Sequence, residues 1–402
     1  ITDPLRFYAE AVPKNKSIVR MNDINEQYLS EFLEALQSAI GQMSVDGIRI
    51  SHIQSKGREL GKYMADILDE EWKQMRGMEI QSVGIASISY DEESQKLINM
   101  NVCALTGTYT SGSAQVVSRT AEKFSIPFVV TVAASETLLT NGYKYSFRIQ
   151  PSTVGFSSNF IEYIPYIKTD DMKTVAIIYE DSNYGTGIAE YIKSRIDETG
   201  LEIIGMLPYS ATASTLSSEV TKLLSLSPDI LIPVGYYSDQ NLLAKEIIDR
   251  DVSFPMIMGV ANGAFSDAKF TNTYGTAADG FFDINYRYNP NSAEADYLLS
   301  TYRELYGEEI PVCAIYGYES IMVIADALRR AGSTDHEALR DALAQTDMTD
   351  HLLPQNEIVF DEAGENINSA GVLIQIQDGK QVIVFPKEYA EGEIIFDKES
   401  DS

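Results

Sequence analysis

The 402-residue chain has few of the residues that metal, redox and nucleophilic sites use most. Its two cysteines, Cys103 and Cys313, stand in apolar runs without the spacing of a metal or redox pair, and a single disulfide between them is left open. His52, His336 and His351 are the three histidines, and they show neither metal-ligand nor triad spacing. No Gly-x-Ser-x-Gly elbow is present. The sequence therefore predicts no enzyme, no metal and no cofactor.

Basic residues are also scarce: 31 Lys and Arg stand against 59 Asp and Glu, which gives a formal net charge of -28. Such a surface repels the phosphates of nucleic acids and anionic membranes, so no nucleic-acid partner is predicted. Hydrophobic residues make up 44% and charged residues 22%, a balance typical of globular proteins. The length is suited to two or three domains.

Long apolar runs are missing as well, since no segment reaches the ~20 residues of a membrane span. No secretory signal peptide is recognisable. The chain opens with Ile1-Thr-Asp-Pro and has no initiator methionine, so we expect it to be a fragment. The missing signal peptide therefore does not argue against export.

The first hundred residues have a helical pattern. Apolar residues recur at helical spacing through the range 25–75, and Gly77 is a predicted helix end. A strand is predicted for residues 78–90, followed by a polar helix from Asp91.

After about Met100, short apolar strands alternate with amphipathic helices, which indicates an α/β fold with a parallel sheet covered on both faces. Strands are predicted at 101–106, 127–132, 174–179, 201–207, 230–234, 255–258, from Ile358 and at 372–384, the last with a turn at Asp378-Gly379. The acidic end of the chain is expected to be frayed.

Ligands of such sheets bind beyond the carboxyl ends of the strands, so the loops that follow the strands are the candidate site. They carry serine, tyrosine and small residues, which suits a small polar ligand. A plain serine N-cap is the alternative interpretation of Ser111 and Ser113. The loops are Gly107-Thr-Tyr-Thr-Ser-Gly-Ser, Thr131-Val-Ala-Ala-Ser, Glu180-Asp-Ser-Asn-Tyr-Gly-Thr-Gly, Gly235-Tyr-Tyr-Ser-Asp and Gly259-Val-Ala-Asn-Gly.

Six motifs resemble, in order and spacing, the leucine/isoleucine/valine-binding family of extracellular solute receptors that feed ABC transporters. They are Gly107 to Ser111, Ile126-Pro127, Ala133-Ala-Ser, Tyr145-Ser-Phe-Arg-Ile-Gln-Pro with Tyr184-Gly-Thr-Gly, and Phe360-Asp-Glu-Ala-Gly. The resemblance covers about residues 101–390. It implies a two-lobed type I periplasmic-binding fold with doubly wound parallel sheets, in which a hinge closes the lobes on a ligand.

The same resemblance implies a ligand site. Ser111, the backbone of Ala133 and Ser135 would hold a carboxylate, and Tyr184 and Tyr236 would approach from the other lobe. We expect Tyr184→Ala to weaken ligand binding without unfolding the chain.

One position departs from the family pattern. Amino-acid-binding members place an acid in the fifth loop to pair with the ligand ammonium, whereas this chain has Asn262 there. A neutral amide cannot supply that charge-assisted pairing. We therefore expect a small polar solute, such as a branched-chain amino acid analogue, an amide or another small carboxylate. The resemblance further implies a permease partner, an extracytoplasmic location and a monomer.

Residues 1–98 resemble instead the second half of a bacterial SPFH domain (stomatin/prohibitin-like, virion-core-like), an α+β fold. The motifs are Asp3-Pro-Leu-Arg-Phe-Tyr, Phe32-Leu-Glu-Ala-Leu, Asp46-Gly-Ile-Arg-Ile-Ser and Trp72-Lys-Gln-Met-Arg-Gly-Met. An alternative function follows from this part of the chain, a membrane-associated scaffold.

The predicted domains meet at a seam where both are incomplete. Lobe one, lacking its first strands, takes residues 101–150 and 282–355, lobe two takes 151–281 and 356–390, and 391–402 is an acidic tail. Our hypothesis is a truncated or chimeric reading frame, which a peptide spanning Ile98 to Cys103 in mass spectrometry would refute.

Overall fold

The computed structural model describes residues 2–3, 21–46, 56–76, 78–83 and 102–396. The chain divides into two compact units, Ile1–Val102 and Cys103–Ser402. Gly77, residues 84–90 of the predicted strand and the helix predicted from Asp91 lie outside the described residues.

The described part of the first unit contains two helices, α1 (Met21–Val45) and α2 (Gly57–Arg76). Trp72 of α2 packs against the rings of Tyr28 and Phe32, with centroid distances of 5.2 and 5.3 Å. The helical pattern predicted for this region is confirmed over these two ranges. The strand predicted from residue 78 is wrong over 78–83, since these described residues are not in a strand.

The described part of the second unit alternates strands and helices, as the sequence predicts. The helices are α3 Ser111–Phe124, α4 Thr153–Ile167, α5 Asn183–Arg195, α6 Ser217–Leu226, α7 Tyr237–Asp249, α8 Ala268–Tyr274, α9 Ala293–Tyr306, α10 Val312–Ala331 and α11 His336–Ala344. The strands are β1 Leu105–Gly107, β2 Phe128–Val130, β3 Ser146–Arg148, β4 Thr174–Glu180, β5 Glu202–Tyr209, β6 Ile230–Val234, β7 Met256–Val260, β8 Phe282–Asn285, β9 Asp347–Met348, β10 Ile358–Val359, β11 Val372–Gln377 and β12 Lys380–Phe385.

Lobe one is built on a parallel sheet with the order β1-β2-β3. Helices α10 and α11 pack on it through a core that includes Val129, Phe147 and Tyr316. Residues between the strand ends and helix starts, notably Gly107 to Thr110 and Thr131 to Ser135, form its carboxyl edge.

Lobe two is built on a seven-stranded sheet with the order β12-β11-β8-β7-β6-β4-β5. Strands β4 to β8 run parallel, and β11 and β12 form an antiparallel hairpin. The hairpin turns at Asp378 and Gly379, whose positive φ angles of 50° and 70° match a two-residue hairpin turn. β6 is buried along its whole length, because helices cover both faces of the sheet. The predicted α/β architecture with parallel-sheet lobes is confirmed.

Two features of the lobes differ from the expected boundaries. β8 pairs with β7 and β11, so residues 282–285 belong to the sheet of lobe two. β10 pairs with β9, and Phe360 packs on Phe147 of lobe one at 5.3 Å. We place the three points at which the chain passes between the lobes after β3, after β8 and after β10. Short apolar strands look alike in sequence, so the sequence did not reveal which sheet each strand joins.

The described part of the predicted frayed tail is attached to the large sheet. The Gln375 side chain accepts a hydrogen bond from the Ile395 N–H at 2.9 Å, and Gln377 donates to the Glu393 carbonyl at 2.8 Å. Residues 397–402 lie outside the described residues. Among the described helices, none combines the length and apolar character that crossing a membrane requires. Cys103 and Cys313 are free thiols.

Candidate functional site

A central cavity lies between the carboxyl ends of the parallel strands of the two lobes, and its volume is about 20 Å³. In lobe two the strand order reverses between β4 and β6, and Tyr184 and Tyr236 follow these two strands. Ligands of doubly wound sheets bind at such a switch point. The central cavity is lined by Tyr109, Ser111, Val132, Ala134, Phe156, Tyr184, Gly235, Tyr236, Ala261, Gly263, Asn285 and Tyr286.

Ser111 provides the polar group on the lobe-one side. The N-cap of α3 is Thr110, whose hydroxyl accepts from the Ser113 N–H at 3.3 Å, so neither candidate serine is the cap. The Ser111 hydroxyl instead accepts a hydrogen bond from the Ser135 N–H at 3.1 Å, and the side chain is buried in the cavity wall. The first residue of α3 therefore faces the cavity, where a helix start can attract an anion.

Stacked tyrosines form the lobe-two side. The rings of Tyr184 and Tyr236 lie 5.0 Å apart at 29°, and the Tyr184 hydroxyl donates to the Ala261 carbonyl. Burial raises the pKa of Tyr184 well above its usual value, so this hydroxyl stays protonated and acts as a donor.

Two tyrosines also link the lobes reciprocally. Burial raises the pKa of Tyr109 in lobe one, and the Tyr237 N–H of lobe two opposes this rise. In the opposite direction, burial and the charge of Glu180 raise the pKa of Tyr236, whereas the N–H of Ser111 in lobe one lowers it. The two rings lie 5.9 Å apart. The lobes therefore meet in a closed arrangement in which an aromatic hydroxyl occupies the N-terminus of α3.

Two predicted ligand-binding residues of the second loop do not line the cavity. Ala133 is buried in the lobe-one core, and Ser135 pairs its hydroxyl with Thr137 at 3.0 Å. Their neighbours Val132 and Ala134 line the cavity instead. Because successive residues of an extended segment point in opposite directions, a motif match alone does not fix which of them faces a ligand.

Asn262 likewise does not line the central cavity, because its amide is fully used within lobe two. Its Nδ2 donates to the Pro233 carbonyl at 3.1 Å and to Gln240 Oε1 at 2.7 Å. Its Oδ1 accepts from the N–H groups of Ala264 and Phe265 at 2.9 and 3.2 Å. Asn262 therefore shapes the loop after β7 and borders a second cavity beside the first.

A buried acid stands behind this loop. Asp283 of β8 accepts hydrogen bonds from the Asn262 N–H, from Ser266 and from Asn285. Burial raises the pKa of Asp283 to about 7, and these hydrogen bonds oppose that rise. Asp283 supports Asn285, which lines the cavity, but is itself absent from the cavity wall. Among the described residues that line the central cavity, none carries a charge.

Sequence reasoning missed several lining residues. Tyr109 lies in the first candidate loop, after β1, so its aromatic ring could have been predicted as a lining residue from the sequence. Phe156 lies in α4, Asn285 is the last residue of β8 and Tyr286 follows it; neither element was predicted. Five aromatic rings consequently surround the cavity, where two were expected.

A family model described as periplasmic binding protein matches residues 90–381, well over half of the chain. This chain belongs to the periplasmic binding protein family. A Leu/Ile/Val-binding protein homolog 7 from Brucella suis is 28% identical over 320 residues, which cover 75% of this chain and 79% of that relative.

Solved structures agree with the family in fold. A leucine-binding protein from Thermotoga maritima superposes with a TM-score of 0.64 at 20% identity, over 73% of this chain and 81% of that one. A solute-binding protein of an ABC transporter from Rhodopseudomonas palustris, crystallised with p-hydroxybenzoic acid, gives a TM-score of 0.62 at 17% identity, over 72% and 79%.

Membership of the periplasmic binding protein family decides between the two functions that the sequence suggested. The family consists of solute receptors, so it favours solute binding over the membrane scaffold. The resemblance of residues 1–98 to an SPFH half-domain stays a prediction.

Proposed function

We propose that this periplasmic binding protein captures a small carboxylic acid with an apolar or aromatic body in the central cavity. The observation that carries the proposal is the convergence of four helix starts on one uncharged, aromatic-lined space. Ser111 begins α3, Phe156 lies in the first turn of α4, Tyr184 in that of α5, and Tyr236 precedes α7. Helix N-termini attract anions through free N–H groups and the helix dipole.

Ser111 is the proposed carboxylate ligand, through its hydroxyl and N–H. Ser135 acts indirectly, since its N–H holds the Ser111 hydroxyl. The ligand carboxylate would take the position that the Tyr236 hydroxyl now occupies, and Tyr236 would turn to cover it. The rings of Tyr184, Phe156 and Tyr286 would enclose the body of the ligand.

The described residues that line the central cavity carry no charge, and this restricts the charged groups that a bound ligand can have. An α-ammonium group next to the carboxylate would be buried without a partner, and burying an unpaired charge is costly. We therefore propose that acids without an α-amino group bind more tightly than leucine. 4-Methylpentanoate, which is leucine without its ammonium, and 4-hydroxybenzoate are suitable probes.

Calorimetry on the full chain tests the site with a matched pair of variants. Ser111→Ala removes the proposed ligand hydroxyl and should weaken binding of both probes by about tenfold, the value of one hydrogen bond to a charged group. Ser113→Ala removes an exposed hydroxyl two residues away and should leave affinity unchanged. Equal affinities for the two variants, or no binding of either probe to the unmodified chain, would overturn the proposed site.

Delivery of the bound solute to an ABC-transporter permease on the extracytoplasmic side is the proposed biological role, with closure of the two lobes as the signal. Such a receptor is expected to be a monomer. Size-exclusion chromatography discriminates this role from the SPFH-type scaffold, which would form large assemblies.

A further inference from the structure

A side cavity adjoins the central cavity and extends it along the cleft. Its volume is about 100 Å³. The two cavities share Tyr109, Gly263, Asn285 and Tyr286 as lining residues, so one solute can reach both.

The side cavity differs from the central one in carrying a charge. Asp267 of lobe two is the charged residue among those described in its wall, and Cys313 of lobe one is another lining residue. Asp267 is the N-cap of α8 and its Oδ1 accepts from the Lys269 N–H at 2.8 Å. Within the described residues, Oδ2 has no hydrogen-bond or ion-pair partner. One carboxylate oxygen is thus available to a cation in the cavity.

The negative charge of Asp267 acts across the cleft on groups of both lobes. Burial, and then the charge of Asp267, raise the pKa of the Cys313 thiol, while the backbone N–H groups of Cys313 and Ala314 and the charge of Lys269 oppose this rise. The pKa of Tyr237 is raised by the same two causes in the same order. The side cavity is therefore an environment that favours positive charge.

We propose that the side cavity is a subsite for a cationic nitrogen carried by the same solute whose carboxylate binds at Ser111. This inference rests on the proposed function and narrows its ligand class. The two charges lie in different cavities, so the solute is an acid whose amine is separated from the carboxylate by several bonds. The solute amine would pair with Asp267, five residues after Asn262. An acidic residue at position 262 is then not required.

A pair of ligands that differ by one amine tests the subsite. Calorimetry on the full chain would compare 4-methylbenzoate with 4-(aminomethyl)benzoate. We expect the amine to increase affinity at least tenfold, and Asp267→Asn to abolish that gain without changing the affinity for 4-methylbenzoate. Glu202→Gln removes an exposed acid at the start of β5 as a charge-matched control, and should preserve the gain.

Cys313 offers a second test that needs no solute. In a Cys103→Ser background it is the one remaining cysteine, and methanethiosulfonate reagents convert its thiolate to a mixed disulfide with release of methanesulfinate. The rate ratio of a trimethylammonium-ethyl reagent to a sulfonato-ethyl reagent measures the local preference for cations. Since both reagents attack the same thiolate, the ratio is independent of the thiol pKa. Asp267→Asn should lower the ratio several-fold, and Glu202→Gln should not.

The outcomes separate the two proposals. If 4-methylbenzoate binds and the amine adds nothing, the subsite is overturned while carboxylate capture stands. A rate ratio that Asp267→Asn leaves unchanged also overturns the subsite. If neither benzoate binds, carboxylate capture is wrong and the subsite falls with it.

Discussion

At the scale of single residues, two glycines at the start of α5 look equivalent in sequence and are not equivalent in the structure. A Cβ on Gly185 would lie 2.3 Å from the backbone oxygen of Glu180, which cannot move as a side chain can. A Cβ on Gly187 would meet the Thr153 side chain at 3.5 Å, an ordinary contact. The close approach at Gly185 exists because its N–H donates to the buried Glu180 carboxylate at 2.6 Å.

Gly185→Ala should therefore lower the free energy of unfolding by about 1–3 kcal/mol, the usual effect of overpacking. Gly187→Ala should be neutral or stabilise by up to about 1 kcal/mol, because alanine is the better helix former. Urea denaturation of both variants measures the difference. Equal stabilities would show that the Glu180 loop adjusts without strain.

Burial of Tyr184 changes the expectation that Tyr184→Ala affects ligand binding alone. The ring is 6% exposed and belongs to the lobe-two core, so Tyr184→Ala should cost about 3–5 kcal/mol as well as affinity. Tyr184→Phe keeps the ring and removes only the hydroxyl that donates to Ala261. We expect the phenylalanine variant to lose at most a few kcal/mol of stability, smaller than the alanine loss, in thermal or urea unfolding.

At the scale of elements, β3 carries Arg148, whose side chain holds the loop after β2 in place. Arg148 is fully buried and forms a fork with Glu365, donating from Nε to Oε2 at 2.9 Å and from Nη2 to Oε1. Its Nη1 donates to the carbonyls of Ser135 at 2.8 Å and Ala133 at 3.4 Å. One guanidinium thus joins the loop after β2 to the segment by which the chain leaves lobe one.

Arg148→Met should destabilise the protein by about 3 kcal/mol, because it leaves Glu365 and two carbonyls without their donor. Arg303 provides a matched control: it forms the same kind of fork with Glu309, but the two side chains are 58% and 48% exposed. Arg303→Met should therefore cost less than about 1 kcal/mol. Similar losses in urea denaturation would contradict the assigned role of Arg148.

At the scale of the whole molecule, buried acids set the pH dependence of stability. Burial raises the pKa of Glu319 and of Asp283 to about 7, and that of Asp239 to about 6. Between their unfolded values near 4 and these folded values, the native state holds protons that the unfolded chain has lost. Each acid therefore lowers stability as pH rises through this window. The lowered pKa of His351, caused by burial, opposes this up to about pH 6.5, whereas the lowered pKa of Asp229 changes stability only below about pH 4.

We expect the protein to be more stable near pH 5 than near pH 8. Glu319 gives the clearest test, because it accepts a single hydrogen bond, from the Leu352 N–H at 2.9 Å, and Oε1 has no partner among the described residues. Glu319→Gln should raise stability near pH 8 by at most about 3 kcal/mol and change it little near pH 5. The exposed Glu304→Gln should leave the profile unchanged, and parallel profiles for both variants would refute the assignment.

The sequence by itself determined the architecture. Fully apolar segments such as Ile230–Val234 and amphipathic helices between them specify a parallel sheet covered on both faces, and the loops after those strands contain much of the cavity wall. Local patterning suffices for this because strand and helix periodicities are properties of adjacent residues.

Only the tertiary structure decided which side chains face the cleft. Val132 and Ala134 line it where the Ala133 backbone and Ser135 were expected, and the Asn262 amide donates to Pro233 and Gln240 instead. Asp267 reaches the side cavity although it lies outside the expected loop. These outcomes depend on side-chain direction and on contacts between segments far apart in sequence, which no local pattern encodes.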